Sequence, residues 1–429
     1  MADHGEGMGD ERPASFANRA FARYFCAIAI GAFGTALTSV ALPVLVVGVL
    51  GANAFEVGIV NAAQFVPYAA LGLFAGVYID RWRRQRVLVW ASIGRAVSLA
   101  LIPVLWVAGL LPIWMLIILL LLFGACSVFG FAATQSLLPQ IVDRHALRAA
   151  NARLDQAEAV GQTAGPALGG ALVSWIGAPL AIAVDAVTYV IDAVLIAGLR
   201  LGERAPRPAA RRSVRREMAE GLRWVYRHRV LAPLAWSTHV WFIANAAALT
   251  VLAVFALRSL GFSPVLYGAL FAAAGLANLL GSTCASRAGA RFGSGPTITA
   301  GRALYPIAWM LVASAPTVAS AQPTVGAVVL VFAGLVIQGF AGGLENANEM
   351  SLRQAVTPDR LLGRANATMR SANRTMGALG AVAGGAAASL LGERPSLFIV
   401  AGLFGVAFLM AVGSPVRSAR DDDSDGTPT

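Results

Sequence analysis

The sequence predicts an all-α membrane protein with twelve transmembrane helices in two pseudo-symmetric six-helix bundles. The first reason is composition: 57% of the 429 residues are hydrophobic, 13% are charged and the mean hydropathy is +0.68, which is untypical of soluble domains. The second is an internal repeat. Residues 139–170 and 354–385 align at an offset of 215 residues, which places Gly165 on Gly380 and residues 169–170 on residues 384–385.

Twelve apolar runs reach the length of about 20 residues that a helix needs to cross a bilayer. Six fall in each half of the chain. The fifth and eleventh runs are the least apolar, because charged residues enter their first turns. The predicted spans cover residues 21–50, 56–79, 87–109, 112–137, 155–176, 178–199, 231–257, 264–286, 296–315, 324–347, 367–391 and 395–415.

The arginines predict the orientation. All 33 basic residues are arginine, a bias that hints at a bacterial source; 26 lie in the segments between spans on one side, two in the loops on the other and five within spans. By the positive-inside rule this predicts a multi-pass protein of the inner (cytoplasmic) membrane with both termini cytoplasmic. The predicted parts are an N-terminal tail (1–20), a first bundle (21–200), a linker (201–230), a second bundle (231–416) and an acidic disordered tail (417–429).

The linker contains a predicted amphipathic helix. Val214, Met218, Leu222 and Val225 recur at helical spacing, and the arginines lie largely on other faces, so we expect this helix to lie on the inner leaflet and to tether the two halves. A calmodulin-like or nucleic-acid-binding helix is the alternative. The net charge of +11 is explained by membrane topology, and no nucleic-acid partner is expected.

The sequence predicts no enzyme, cofactor or metal site. It contains no GxxxxGK[ST] phosphate loop, no HExxH motif and no supported Ser-His-Asp grouping. Cys26, Cys126 and Cys284 all fall within apolar runs, where a free cysteine behaves as a small hydrophobic residue. We therefore expect neither disulfides nor bound metal.

The stretch GLFAGVYIDRWRRQRVL, residues 72–88, resembles the loop motif of the major facilitator superfamily. Two further segments, NARLDQAEAVGQTAGPALGG and SLRQAVTPDRLLGRANATMR, resemble the bacterial branch that contains macrolide and enterobactin exporters. The resemblance covers the whole chain and implies the major facilitator fold, although Arg83 replaces a glycine of the motif and the second-half loop lacks the Asp-Arg pair. The motif residues in this sequence are Gly76, Asp80, Arg81, Arg83, Arg84 and Arg86.

In that family the loop motif acts as a conformational latch, because its aspartate faces the start of the eleventh span. Here that start carries Arg364, so the resemblance implies a latch formed by Gly76, Asp80, Arg81, Arg84 and Arg364. Such a latch would close the inner side in one state and break in the other. The alternative is that these arginines only set the topology.

The fifth span carries a ladder of small residues: Gly161, Gly165, Pro166, Gly169 and Gly170. Residues four apart share a helix face and permit close helix packing. The resemblance further implies that this pattern marks exporters that work by proton antiport, with a bent helix sealing the path between the halves. Helix packing alone is the other interpretation.

Four acidic residues inside spans are candidates for proton coupling: Asp185, Asp192, Glu345 and Glu349. Ionisable groups within spans are functional candidates by default, and each pair shares a helix face because its members lie seven or four residues apart. The alternative is that one acid of each pair neutralises Arg95 or Arg302, which lie in the repeated tripeptides Gly94-Arg95-Ala96 and Gly301-Arg302-Ala303.

A cytoplasmic gate and a cavity complete the predicted site. Asp155 and Glu158 could pair across the cavity mouth with Arg370 and Arg374, or the arginines could simply reach the lipid headgroups. Side chains of the first, second, seventh and eighth spans could line a cavity for a bulky amphipathic substrate. The main cavity candidates are Asn61, Gln64, His239, Phe242 and Asn245, with Tyr24, Phe65, Trp241 and Asn278 in addition.

The predicted function is secondary active efflux. A small amphipathic molecule such as a drug, an antibiotic or a siderophore would leave in exchange for protons while the two halves rock around a central cavity. The expected partners are this substrate, protons and the lipid bilayer, and a monomer is expected. Two alternatives stay open: an importer or facilitator of the same fold, and a membrane scaffold or sensor without transport.

Overall fold

The computed structural model describes residues 18–79, 82–201, 214–317 and 322–419, and these residues form helices and no strands. The all-helical prediction is confirmed. The α-helices are α1 (Arg19–Pro43), α2 (Ala54–Ala63), α3 (Val66–Ile79), α4 (Arg84–Val107), α5 (Ile113–Ile141), α6 (Leu147–Ile176), α7 (Ala178–Ala197), α8 (Val214–Arg227), α9 (Leu231–Val254), α10 (Pro264–Phe292), α11 (Ser294–Ala313), α12 (Val325–Ala355), α13 (Asp359–Leu391) and α14 (Glu393–Val412).

Within the described residues, nine helical segments are long and apolar enough to cross a membrane. The predicted fifth, ninth and eleventh spans correspond to the other three long helices, α6, α11 and α13, which are richer in polar and small residues. Helices α6 and α13 start at residues 147 and 359, earlier than the predicted spans at 155 and 367. The predicted spans start about two turns too late, because the first turns of these helices are too polar for a hydropathy pattern to reveal.

The two halves repeat one packing pattern. In the first half α1 packs on α6 and α7, and α4 packs on α5 and α7; in the second half α9 packs on α13 and α14, and α11 packs on α12 and α14. The two most extensive contacts between the halves are the crossings of α6 with α10 and of α2 with α13. The second crossing is the repeat-related counterpart of the first, so the structure has the pseudo-symmetry that the sequence repeat predicted.

The glycine ladder of α6 forms two different contacts. Gly161 and Gly165 lie against α1, where a Cβ on Gly161 would be 3.2 Å from the Ala32 carbonyl carbon. Gly170 lies instead against the backbone of Pro264 in α10. Without these glycines the helix axes could not approach so closely.

Helix α13 repeats this arrangement. Gly380 and Gly384 lie against α9, and Gly385 lies against α2, where Gly58 packs on the backbone of Ala381 and Gly385. Ala381 thus occupies the position that Pro166 has in α6, and both residues present a backbone carbonyl to a glycine of the opposite half. The inter-half crossing therefore does not require the proline.

The end of the molecule that carries residues 50–53 and 260–263 is closed. Helices α1 and α9 continue there as π-helical turns, Val44–Val49 and Phe255–Ser259, and one buried apolar cluster extends across both halves. Arg258 donates a 2.8 Å hydrogen bond to the Ala52 carbonyl oxygen across the closure. We call this the closed end, and the end that carries residues 82–86 and 214–229 the arginine-rich end.

Helix α8 docks on the second half at the arginine-rich end, against α13 and α9. Val225 is buried, and Gly221 lies against the Arg364 backbone. His228 then caps α9, since its Nδ1 accepts the backbone N–H groups of Val230 and Leu231 at 3.2 and 3.3 Å. Burial lowers the pKa of His228, which keeps Nδ1 available as an acceptor.

We predict that Gly58→Leu destabilises the closed end. A Cβ at this position would lie 2.6 Å from the Ala381 carbonyl oxygen and 3.1 Å from Gly385 Cα, so the backbones must separate, at a cost of about 1–3 kcal/mol. The measurement is the melting temperature of the purified protein in detergent. Gly402→Leu is the matched control, because a Cβ there meets no described atom within 4 Å; equal losses in both variants would contradict the prediction.

Candidate functional site

A central cavity of about 1530 Å³ lies between the two bundles. Thr35 and Ser39 of α1 and Trp241 of α9 form part of its wall in the interior, and the exposed Asp155 and Gln354 line it at the arginine-rich end. The π-helical turns at the closed end are not part of its lining. A cavity of this size can hold a drug-sized molecule, and it is accessible from the arginine-rich end.

The first half contributes an Arg–Ser–Asp chain to the cavity wall. Ser92 of α4 donates a short hydrogen bond to the Asp192 carboxylate of α7 and accepts one of 2.9 Å from Arg95. Arg95 Nη2 is 3.7 Å from Asp192 Oδ2, and its guanidinium lies 4.4 Å from the Tyr189 ring centroid. Arg95 and Asp192 both line the cavity, so the ion pair can be reached from it.

Asp185 has a different environment about two turns earlier in α7. Its side chain is fully buried, and its carboxyl oxygens contact the hydroxyls of Thr38 in α1 at 2.5 Å and Thr188 at 3.1 Å. Among the described residues, no arginine forms an ion pair with Asp185 within 4.0 Å. Hydroxyl partners can donate to an ionised carboxylate or accept from a protonated one, so this site can satisfy either form.

The second half encloses Arg302 in a denser cluster. Arg302 of α11 is 1% exposed and forms ion pairs with Glu345 at 2.7 Å and Glu349 at 3.1 Å, both on α12. It also donates to the hydroxyls of Ser237 and Thr238 in α9, the second at 2.7 Å. Arg302 therefore joins three helices of this bundle.

Glu349 is shared with a second cation. Arg353 Nη1 lies 3.8 Å from Glu349, while its Nη2 donates a 2.7 Å hydrogen bond to Asn366 of α13. The second-half cluster thus contains two arginines and two glutamates. Among the described residues of the first half, the corresponding cluster contains two aspartates, Asp185 and Asp192, and one arginine, Arg95.

The predicted gate residues form no acid–arginine pair among the described residues. Asp155 and Glu158 line the cavity at the arginine-rich end, and neither forms an ion pair within 4.0 Å with Arg370 or Arg374 in the described ranges. The arginines contact aromatic rings of the first half instead. The Arg370 guanidinium is 3.8 Å from the centroid of Phe131, and that of Arg374 is 5.2 Å from Phe65 and 5.6 Å from Tyr68.

The predicted latch is described only in part. Asp80 and Arg81 lie outside the described residues, whereas Gly76 lies within α3 and Arg84 is the first residue of α4. Arg364 forms a close ion pair with Glu220 of α8. The linker helix therefore contacts the start of α13, the position expected for the latch.

The cavity candidates separate into two groups. Gln64 and Asn245 line the cavity, together with Phe65, Trp241 and Asn278. Asn61, Phe242, Tyr24 and His239 lie outside its lining. Asn61 donates a 3.1 Å hydrogen bond to Thr250, and Tyr24 donates one to the Thr134 carbonyl oxygen. Phe242 packs edge-on against Trp241, and His239 forms hydrogen bonds of 2.7 Å with Tyr226 and Asn373.

Several polar residues of the site were not singled out from the sequence. Gln338 of α12 donates to Asn245 at 3.3 Å, and its Oε1 is buried without a hydrogen-bond partner among the described residues. Ser92 and Thr38 hold the two aspartates of α7. A single Ser, Thr or Gln in an apolar helix gives no distinctive pattern, because its role depends on which helix faces it.

Comparison with known proteins gives one family and several relatives. The family model described as "Transmembrane secretion effector" matches residues 12–428. An uncharacterized MFS-type transporter, y4rN, from Sinorhizobium fredii is 27% identical over 82% of this chain and 84% of its own. The multidrug efflux pump Tap from Mycolicibacterium fortuitum is 31% identical over 49% of this chain, and macrolide efflux protein A from Streptococcus pyogenes is 25% identical over 40%.

The last two alignments span only about half of those relatives, 53% of Tap and 42% of macrolide efflux protein A. Solved structures match over a longer range. The nucleoside transporter NupG has a TM-score of 0.71 at 13% identity, covering 92% of this chain and 98% of its own. A bacterial homologue of the iron transporter ferroportin, in an inward-facing state, has a TM-score of 0.70 at 14% identity, covering 94% and 99%. At such identities the likeness concerns the fold alone.

We predict that Arg302→Met is strongly destabilising. The change leaves Glu345 and Glu349 buried without their main cation, and breaking a buried pair in this way costs about 3–5 kcal/mol. Thermal unfolding of the detergent-purified protein measures the effect. Arg287→Met, at an exposed position of α10, removes the same charge and should leave the melting temperature almost unchanged; a similar drop there would refute the assignment to the buried cluster.

Proposed function

The chain belongs to the transmembrane secretion effector family of the major facilitator superfamily, and from this premise we propose that it exports a small amphipathic molecule in exchange for protons. The exchange takes place by alternating access in the cytoplasmic membrane, with the arginine-rich end on the cytoplasmic side. The substrate enters the central cavity from that side. The observation that carries the proposal is the unequal distribution of charge between the two halves around this cavity.

Among the described residues, the first half buries one acid more than its buried cations balance. Arg95 pairs with Asp192, and Asp185 has only hydroxyl partners within hydrogen-bond distance. A buried carboxylate without a cation is costly when ionised, so Asp185 is suited to bind a proton in one state and release it in another. Thr38 connects this event to α1, the helix on which the glycine ladder of α6 packs.

The second half is suited to a different role. Its buried acids are paired with Arg302 and Arg353. These cations stabilise the ionised carboxylates, so the glutamates are less suited to take up a proton. Its cavity wall instead presents uncharged amides, Asn245 and Gln338, beside aromatic rings. Mostly apolar walls with a few polar anchors are typical of small-molecule sites. Under this proposal the first half binds the proton and the second half supplies polar anchors for the substrate.

The transport cycle follows from the two ends of the molecule. In the conformation described here the glycine crossings and the apolar cluster seal the closed end. When the halves rock, these contacts open and the gate residues of α6 and α13 approach each other. Arg370 and Arg374 then exchange their aromatic partners for Asp155 and Glu158, which closes the arginine-rich end. The glycine ladder thus functions as the seal of one state and the charged gate as the seal of the other.

The relatives named as efflux proteins favour export over import. Multidrug efflux pump Tap and macrolide efflux protein A are named for outward transport, and we extend that direction to this chain. A macrolide antibiotic is accordingly the first probe. Further probes come from a comparison of drug susceptibility between cells that express the protein and cells that lack it.

We predict that Asp185→Asn abolishes proton-driven accumulation of the probe in everted membrane vesicles, because the amide cannot take up the coupling proton. Substrate counterflow without a proton gradient should persist, since the cavity is intact. Asp143→Asn, at an exposed loop position, is the control and should accumulate the probe like the unaltered protein. If the unaltered protein still accumulates the probe when a protonophore is present, the antiport mechanism is removed.

We predict that Arg374→Glu impairs transport and that the double change Glu158→Arg with Arg374→Glu restores much of it. The single change places like charges on both sides of the closing gate, and the double change re-creates an opposite pair. Accumulation in the same vesicles measures both. Arg291→Glu, on an exposed position at the end of α10, controls for the reversal of one positive charge. Failure of the double variant to exceed the single one would count against the gate.

A further inference from the structure

Helix α8 carries an arginine stripe that the transport cycle does not use. Arg216, Arg223 and Arg227 are spaced by seven and four residues, which places them on one helix face, and all three side chains are exposed. The opposite face, with Gly221 and Val225, is the one that packs on the second half. The stripe therefore points away from the bundle.

The position of α8 relative to the membrane can be determined from its aromatic neighbours. Trp236, on the first turns of the spanning helix α9, is 53% exposed, and an exposed tryptophan near the end of a span marks the headgroup layer. The ring of Tyr226 in α8 lies 5.4 Å from the Trp236 ring. The second half of α8 is consequently at the level of the lipid headgroups.

The side of α8 nearest the lipid combines an apolar and a basic component. Leu222 is one turn before Tyr226 and 41% exposed, as expected for a side chain that inserts among lipids. Arg223 and Arg227 each follow one of these two residues directly, so they lie about 100° further round the helix. Neither arginine forms an ion pair with an acid within 4.0 Å in the described ranges.

We propose that α8 is a binding site for anionic phospholipid headgroups, with Arg223 and Arg227 as the phosphate ligands. The guanidinium group matches phosphate oxygens in a bidentate geometry. Basic residues next to an interfacial apolar side chain are the general arrangement by which helices attach to anionic leaflets. Arg216 contributes less, because it already lies 3.8 Å from Glu220.

The site is preformed because α8 is fixed to the second half at two points. Glu220 forms the ion pair with Arg364 at the start of α13, and Tyr226 bonds to His239, which in turn bonds to Asn373 further along α13. A headgroup that binds α8 therefore contacts a helix attached to both α9 and α13. Little conformational entropy has to be lost on binding.

The test is a lipid titration of the full chain purified in dodecyl maltoside, in which the melting temperature is measured at each lipid concentration. Phosphatidylglycerol should raise this temperature in a saturable way, whereas phosphatidylcholine and inorganic phosphate at the same concentrations should not. The Arg223→Gln/Arg227→Gln variant should bind phosphatidylglycerol about 25-fold more weakly, from about fivefold for each of the two basic residues at an anionic surface. High salt should weaken binding to the unaltered protein.

The matched control is Arg287→Gln/Arg291→Gln. These two arginines are also four residues apart and exposed, at the end of α10, and their replacement should leave the affinity unchanged. An equal loss in both double variants, or an equal response to phosphatidylcholine or inorganic phosphate, would overturn the proposal. The melting temperature of each variant without added lipid verifies that the fold is retained.

Discussion

Close backbone contact between helices is the constraint on which the rest of this structure depends. Inside a bilayer the hydrophobic effect does not hold helices together, so packing at short distance has to do so. Helices α6 and α13 each use one glycine ladder for two purposes: part of it packs on a helix of the same half, and Gly170 or Gly385 crosses to the other half. These crossings seal one end of the molecule, and the central cavity consequently reaches only the other.

The second constraint is the cost of buried charge. Arg95 and Arg302 stand in the same tripeptide of the two repeats, yet they pair with different helices. Arg95 reaches Asp192 on α7, whereas Arg302 reaches Glu345 and Glu349 on α12. The two arginines thus have different partners, and among the described residues Asp185 of the first half forms no ion pair within 4.0 Å.

At the arginine-rich end, helix α8 is held both by close packing and by an ion pair. It does not join the halves symmetrically, since it docks on α9 and α13 through Val225, Tyr226 and Glu220. Helix α13, which carries the predicted gate residues Arg370 and Arg374, is thus one of the two helices that hold α8.

The sequence by itself determined the number of spans, their division into two repeats and one stretch that packs closely, because composition and spacing encode burial and helix faces directly. It also named Gln64 and Asn245 of the cavity wall, but it placed Asn61, Phe242 and His239 beside them. Only the tertiary structure decided which of these side chains face the cavity. It also decided which acids Arg302 holds and that, among the described residues, Asp185 has only hydroxyl groups as hydrogen-bond partners. The physical reason is that helical periodicity assigns a residue to a face of its own helix, whereas its partner depends on how neighbouring helices rotate and cross.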